Sequence, residues 1–117
     1  MGIINVLQQD AWEMAESKGL HEIDTTNIDR YVMLARMALI HTEVSEATQE
    51  IKRHWGVGGL PPDAIDRTAA ELADTVIRVM DLAECIGIPL EAAVIEKMEK
   101  NWQRPHKFGT PEEGIVG

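Results

Sequence analysis

Apolar residues recur along this chain at intervals of three and four positions, which is the spacing of amphipathic helices rather than of strands. Glycine or proline follows three of these segments and predicts where the helices end. These positions are Gly19, residues 56–62 and Gly87. The predicted helices span about residues 3–18, 28–54, 63–86 and 89–104. The pattern therefore predicts an all-α four-helix bundle, with a long second helix and a Gly/Pro-rich turn before the third.

The chain's length limits its domain organisation. Its 117 residues are enough for one hydrophobic core, so we expect a single α-helical domain over residues 1–104. Residues 105–117 contain glycine, proline and charges but few apolar side chains, and we expect a tail that is loop or partly disordered.

Charge and cysteine content exclude several classes of function. A net charge of −9 disfavours binding to nucleic-acid polymers, although it is compatible with divalent cations. Cys85 is the only cysteine and cannot form an internal disulfide, which favours a reducing, cytoplasmic location. No apolar run is long enough to span a membrane, and the N-terminus lacks the pattern of a signal peptide.

One face of the second predicted helix changes from apolar to acidic along its length. A buried carboxylate without a partner is unfavourable, so acidic residues on an inward face require cations or shifted pKa values. Carboxylates three positions apart lie close enough to share a metal ion. The face in question contains Ile28, Val32, Ala35 and Leu39, and then Glu43, Glu46 and Glu50.

The third predicted helix offers a second pair, Glu71 and Asp74, at the same spacing. This pair borders the apolar arc of its helix, so a solvated charged flank is the alternative interpretation. The turn between the two helices can bring both pairs face to face, and four oxygen ligands suit Mg²⁺ or Mn²⁺ better than zinc. Two other glutamate pairs face away from the apolar stripes and are interpreted as solvated: Glu13 with Glu16, and Glu96 with Glu99.

Polar side chains also follow the apolar stripe of the fourth predicted helix. Lys97 and Asn101 share a face with Leu90 and Ala93, and Arg104 comes next. An ammonium, an amide and a guanidinium can hold phosphate oxygens. In the alternative interpretation Lys97 extends into solvent and Asn101 caps the helix end.

Taken in order, these residues form a composite motif. Glu43-Val-Ser-Glu46 is followed after 24 residues by Glu71-Leu-Ala-Asp74, and then by a segment over residues 97–109 that includes Arg104-Pro105. Over roughly residues 28–109 the chain resembles the MazG-like branch of the all-α nucleoside triphosphate pyrophosphohydrolases. The resemblance implies hydrolysis of an NTP or dNTP to the monophosphate and pyrophosphate, with Mg²⁺ or with Mn²⁺ in its place.

The resemblance also implies roles for particular residues. Lys97 and Asn101 would contact phosphates, and Arg104 and Lys107 occupy basic positions of the same segment. It further implies a homodimer or homotetramer, as do the wide apolar arcs of the second and third helices. The metal ligands would be Glu43, Glu46, Glu71 and Asp74.

Several alternatives stay open from the sequence. Either Glu46 or Glu50 could orient or deprotonate the attacking water. Trp12 and Trp55 could contact the base, or could belong to the core or an interface. The base and the sugar are not specified by the sequence.

The rival functional class is a non-catalytic helical oligomerisation or interaction protein, which would explain the amphipathic helices but not the inward carboxylates. A di-iron bundle requires Glu-x-x-His pairs, and none of the four histidines has a glutamate three residues before it.

Overall fold

The structure is a computed structural model that describes residues 2–21 and 29–105. These residues form four helices, which confirms the predicted all-α four-helix bundle. The predicted start of the second helix at residue 28 and the predicted tail beyond residue 105 lie outside the described residues. The helices are α1 (Ile3–Ser17), α2 (Arg30–His54), α3 (Pro62–Ile86) and α4 (Leu90–Gln103).

Local chemistry accounts for where the helices begin and end. The Asp29 side chain accepts a hydrogen bond from the Tyr31 backbone N–H at 2.7 Å and so caps the start of α2. Pro62 occupies the first position of α3, where its missing N–H is not needed. Gly87 ends α3 with φ at +85°, a left-handed conformation that glycine adopts without steric strain. The helix ends are therefore specified by neighbouring residues.

The bundle is organised around α3, against which both α1 and α2 pack. Most of the buried apolar residues are alanines, whose small side chains let helix backbones approach closely. The buried apolar residues in the described ranges are Ala11, Ala15, Ala47, Ala64, Met80, Leu82 and Ala83.

The fourth helix is attached differently. It packs mainly against α1 and has no buried residue. The Glu91 carboxylate accepts hydrogen bonds from the backbone N–H groups of Ile4 and Asn5 at 3.0 and 3.3 Å. These amides lack partners inside α1, so Glu91 acts as a cap supplied by another helix. The start of α4 is thereby joined to the start of α1.

Large apolar side chains remain exposed on all four helices, and those of α2, α3 and α4 lie at regular intervals. They recur at intervals of three, four or seven residues, so each set forms a stripe on one face of its helix. Stripes of this kind mark surfaces that associate with another protein surface. They are Leu34, Met37, Val44 and Ile51 on α2; Ile65, Leu72 and Val76 on α3; and Ile95, Met98 and Trp102 on α4.

Within residues 2–21 and 29–105, no helix combines the length and the apolar content that crossing a bilayer requires.

Candidate functional site

Packing of α2 against α3 brings three of the four predicted metal ligands together. Glu43, Glu46 and Glu71 each place one carboxylate oxygen within 4.8 Å of the other two. The helices are joined by a short turn, so residues at similar distances from it, such as Glu46 and Glu71, come opposite each other. Asp74 is exposed one turn beyond Glu71 and lines the adjoining cleft instead of joining this group. We call these three glutamates the carboxylate cluster.

The most buried member of the cluster is neutralised by an arginine. The Glu43 side chain is only 11% exposed, and it accepts a hydrogen bond from Arg78 Nε at 2.8 Å. A buried carboxylate is tolerated when a hydrogen-bonded cation faces it. The burial of Glu43 agrees with the helical phase that placed it on the inward face of the second helix, whereas its pairing with Arg78 was not predicted.

No cation among the described residues faces Glu71 in this way. Its Oε2 atom is buried and accepts no hydrogen bond from the described residues. Contact with the neighbouring Glu46 carboxylate, together with burial and a smaller effect of Glu43, raises the pKa of Glu71 to about 7. A buried carboxylate oxygen that faces other carboxylate oxygens requires a proton or a cation between them. The donor set consists of carboxylate oxygens, which fits a hard divalent cation such as Mg²⁺.

Glu50 contacts basic side chains outside the carboxylate cluster. Arg67 Nε donates to one of its carboxylate oxygens, and His54 Nε2 lies 3.4 Å from the other. Glu46, by contrast, is exposed and adjoins Glu71. Of the two candidates for orienting water, the structure therefore favours Glu46.

A cleft of about 200 Å³ extends from the carboxylate cluster along the groove between α2 and α3. Glu43 and Asp74 line it near the cluster, and Arg36 and Asp81 line it two helical turns further along the same two helices. Its walls also include apolar side chains from all three of the packed helices: Ala11, Met14, Ala15, Leu39, Ile77 and Leu82. The cleft thus combines charged groups at both ends with an apolar middle.

The predicted phosphate ligands lie apart from this arrangement. Lys97, Asn101 and Arg104 are exposed on α4 or just beyond it. In the described part of the chain their side chains make no hydrogen bond or ion pair with the cluster. Lys107 lies outside the described residues. A phosphate-binding role for α4 therefore requires movement of that helix or the α4 of a second copy.

The two tryptophans considered for base binding occupy different surroundings. Trp12 is half-buried, and its ring centroid lies 5.4 Å from that of His21. Trp55 is 65% exposed at the turn between α2 and α3. Neither lines the cleft beside the carboxylate cluster.

Comparisons with known proteins returned nothing: no protein-family model, no curated protein and no solved structure matches the chain. The carboxylate cluster, the cleft and the sequence motif are therefore the features that bear on its function.

Proposed function

We propose that the chain is a cytoplasmic, Mg²⁺-dependent nucleoside triphosphate pyrophosphohydrolase that converts an NTP or dNTP to the monophosphate and pyrophosphate. The observation that supports this proposal most strongly is the carboxylate cluster, with its unpartnered Glu71 oxygen. Hydrolysis of a phosphoric anhydride requires neutralisation of phosphate charge and alignment of a water molecule. Divalent cations held by a cluster of carboxylates beside a cleft would meet both requirements.

Each residue of the site has a role in this proposal. Glu43, Glu46 and Glu71 would hold the divalent cation, which supplies charge neutralisation for the phosphate oxygens when it is bound. Glu46, the exposed member, accepts a proton from the attacking water. Asp74 lies at the adjoining wall of the cleft, where it can act as a further ligand. The apolar middle of the cleft would contact the nucleoside.

The test is a screen of the common NTPs and dNTPs for pyrophosphate release with Mg²⁺ or Mn²⁺, repeated in excess EDTA. We expect release from at least one nucleotide and complete loss of activity on chelation. Full activity in EDTA would contradict the metal assignment. No release from any nucleotide would contradict the enzymatic proposal.

The exposed apolar stripes favour a second candidate function, that of a non-catalytic helical oligomerisation protein. A thermal melt with and without MgCl₂ separates the two candidates. Specific binding at the carboxylate cluster raises the midpoint, because the folded state alone presents the site. A purely structural protein would show neither this shift nor pyrophosphate release.

The same stripes lead to a prediction about assembly. We expect a homodimer or homotetramer at micromolar concentration, because the stripes on α2 and α3 are uncovered in the single chain. Light scattering should give a mass at least twice 13.0 kDa. Leu72→Glu should reduce that mass, whereas Leu20→Glu, on an exposed residue after α1, should not. A stable and active 13.0 kDa monomer would refute the prediction.

A further prediction concerns the fourth helix. Lys97→Met should lower kcat/KM about ten- to hundredfold, because a charge-assisted contact to phosphate contributes roughly 1.5–3 kcal/mol. Stabilisation by Mg²⁺ should be unchanged, since Lys97 is not a metal ligand. Lys100→Met is the matched control, because Lys100 pairs with Glu96 on the same helix at 3.0 Å. Equal kcat/KM values for the two variants would remove Lys97 from the active site.

A further inference from the structure

A second group of metal-ligating side chains lies where the end of α1 meets α3. His21 follows α1, and Asp81 and Cys85 stand one turn apart on α3. One potential ligand atom from each lies within 4.8 Å of the other two. This group offers nitrogen, oxygen and sulfur, unlike the carboxylate cluster, so it suits a different class of ion.

Two carboxylates hold the His21 ring in a fixed orientation. The ring is 1% exposed, with Nδ1 2.7 Å from Glu16 Oε2 and Nε2 2.7 Å from Asp81 Oδ1. Both ring nitrogens therefore face carboxylate oxygens, and the Nε2 and Oδ1 atoms stand side by side as two potential ligand atoms, which an ion would bind in place of the hydrogen bond between them. Histidines that bind metals commonly donate their other ring N–H to a carboxylate, which is the role of Glu16 here.

Arg36 can remain in place when an ion binds. Its Nη1 lies 3.3 Å from both Asp81 Oδ2 and Cys85 Sγ. Arg36 contacts Oδ2 and not Oδ1, the oxygen that faces His21, so an ion that binds Oδ1 leaves the arginine contact in place.

An ion can reach this place from solvent. Cys85 is half-buried and lines an open cleft of about 330 Å³, so solvent ions have access to the group at its thiol. Two glutamates of the same cleft, Glu13 and Glu84, provide negative potential along the path.

We infer that His21, Asp81 and Cys85 form a site for Zn²⁺ or a similar transition-metal ion, separate from the carboxylate cluster. Three side chains bind the ion and water completes a four-coordinate arrangement. The ion joins the end of α1 to the last turns of α3, so its binding stabilises the folded chain. The inference does not depend on the proposed nucleotide hydrolysis.

Cobalt provides the test, because Co²⁺ occupies zinc sites and a cobalt–thiolate bond absorbs in the near ultraviolet. Titrating the full chain with CoCl₂ should produce this absorption with saturation near one equivalent. ZnCl₂ should abolish it, and excess MgCl₂ should not. Glu71→Gln is the matched control and should leave the band intact.

Substitutions in the group complete the test. Cys85→Ser should abolish the band, while His21→Gln and Asp81→Asn should each weaken cobalt binding at least about tenfold. Circular dichroism of each variant establishes whether it is folded. Cys85 is half-buried, so Cys85→Ser should disturb folding least of the three substitutions. Absence of the band from the unsubstituted protein, or an equal band in the folded Asp81→Asn variant, would overturn the inference.

Discussion

Glu71→Gln is expected to lower kcat/KM for pyrophosphate release by about two orders of magnitude or more without unfolding the protein. The substitution removes the charge of a residue proposed to hold the cation. It also relieves the repulsion that raises the pKa of this carboxyl beside Glu46. Loss of function and retention of structure are therefore expected from the same change.

Two measurements separate these effects. Melting in EDTA should give the variant a midpoint no lower than that of the unsubstituted protein, whereas the increase caused by MgCl₂ should disappear. Glu46→Gln should behave in the same way. Glu13→Gln and Glu96→Gln, at exposed positions outside the cluster, should leave both activity and the MgCl₂ effect nearly unchanged. Equal losses in the controls would mean that the effect is not specific to the cluster.

The helices could be predicted closely from the sequence because their determinants are local. Apolar spacing set their extent, and Gly87 set the end of α3 through a left-handed conformation that involves only neighbouring residues. The phase of Glu43 was predictable for the same reason, since the angle between residues on one helix depends on their separation alone.

Relations between helices were harder to predict. Whether Asp74 joins the carboxylates depends on the rotation of α3 about its own axis, which the spacing of Glu71 and Asp74 does not specify. The contacts of Glu50 likewise depend on Arg67, a residue 17 positions away on another helix. Helical phase predicted an inward face but not which acidic residues would be paired with arginine.

The position of His21 was the least predictable from the sequence. It lies just beyond α1, so no helical periodicity fixes the direction of its side chain. Its contact with Asp81 joins residues 60 positions apart. Neither residue belongs to a short motif with metal-ligand spacing, so only the packed structure brings them together with Cys85.

The other large effect is expected from pH. In the metal-free protein the pKa of Glu71 is about 7, against 4.5 for an unperturbed glutamate. Between these values the folded chain holds a proton that the unfolded chain has released, so this group's contribution to stability falls as pH rises towards and through 7. A divalent cation must displace that proton, so Mg²⁺ should bind about a hundredfold more weakly at pH 5 than at pH 8.

Thermal melts from pH 5 to pH 8 measure both consequences. In EDTA, the midpoint of the unsubstituted protein should fall with rising pH relative to that of Glu71→Gln, which has no proton to lose at this position. With MgCl₂ above pH 7, the unsubstituted protein should instead have a higher midpoint than Glu71→Gln. The reason is that the cation then stabilises only the protein that retains the glutamate. Glu13→Gln serves as the control and should follow the unsubstituted protein throughout. A difference between Glu71→Gln and the unsubstituted protein that stays constant with pH would contradict the raised pKa, and with it the crowding of carboxylates on which the metal site depends.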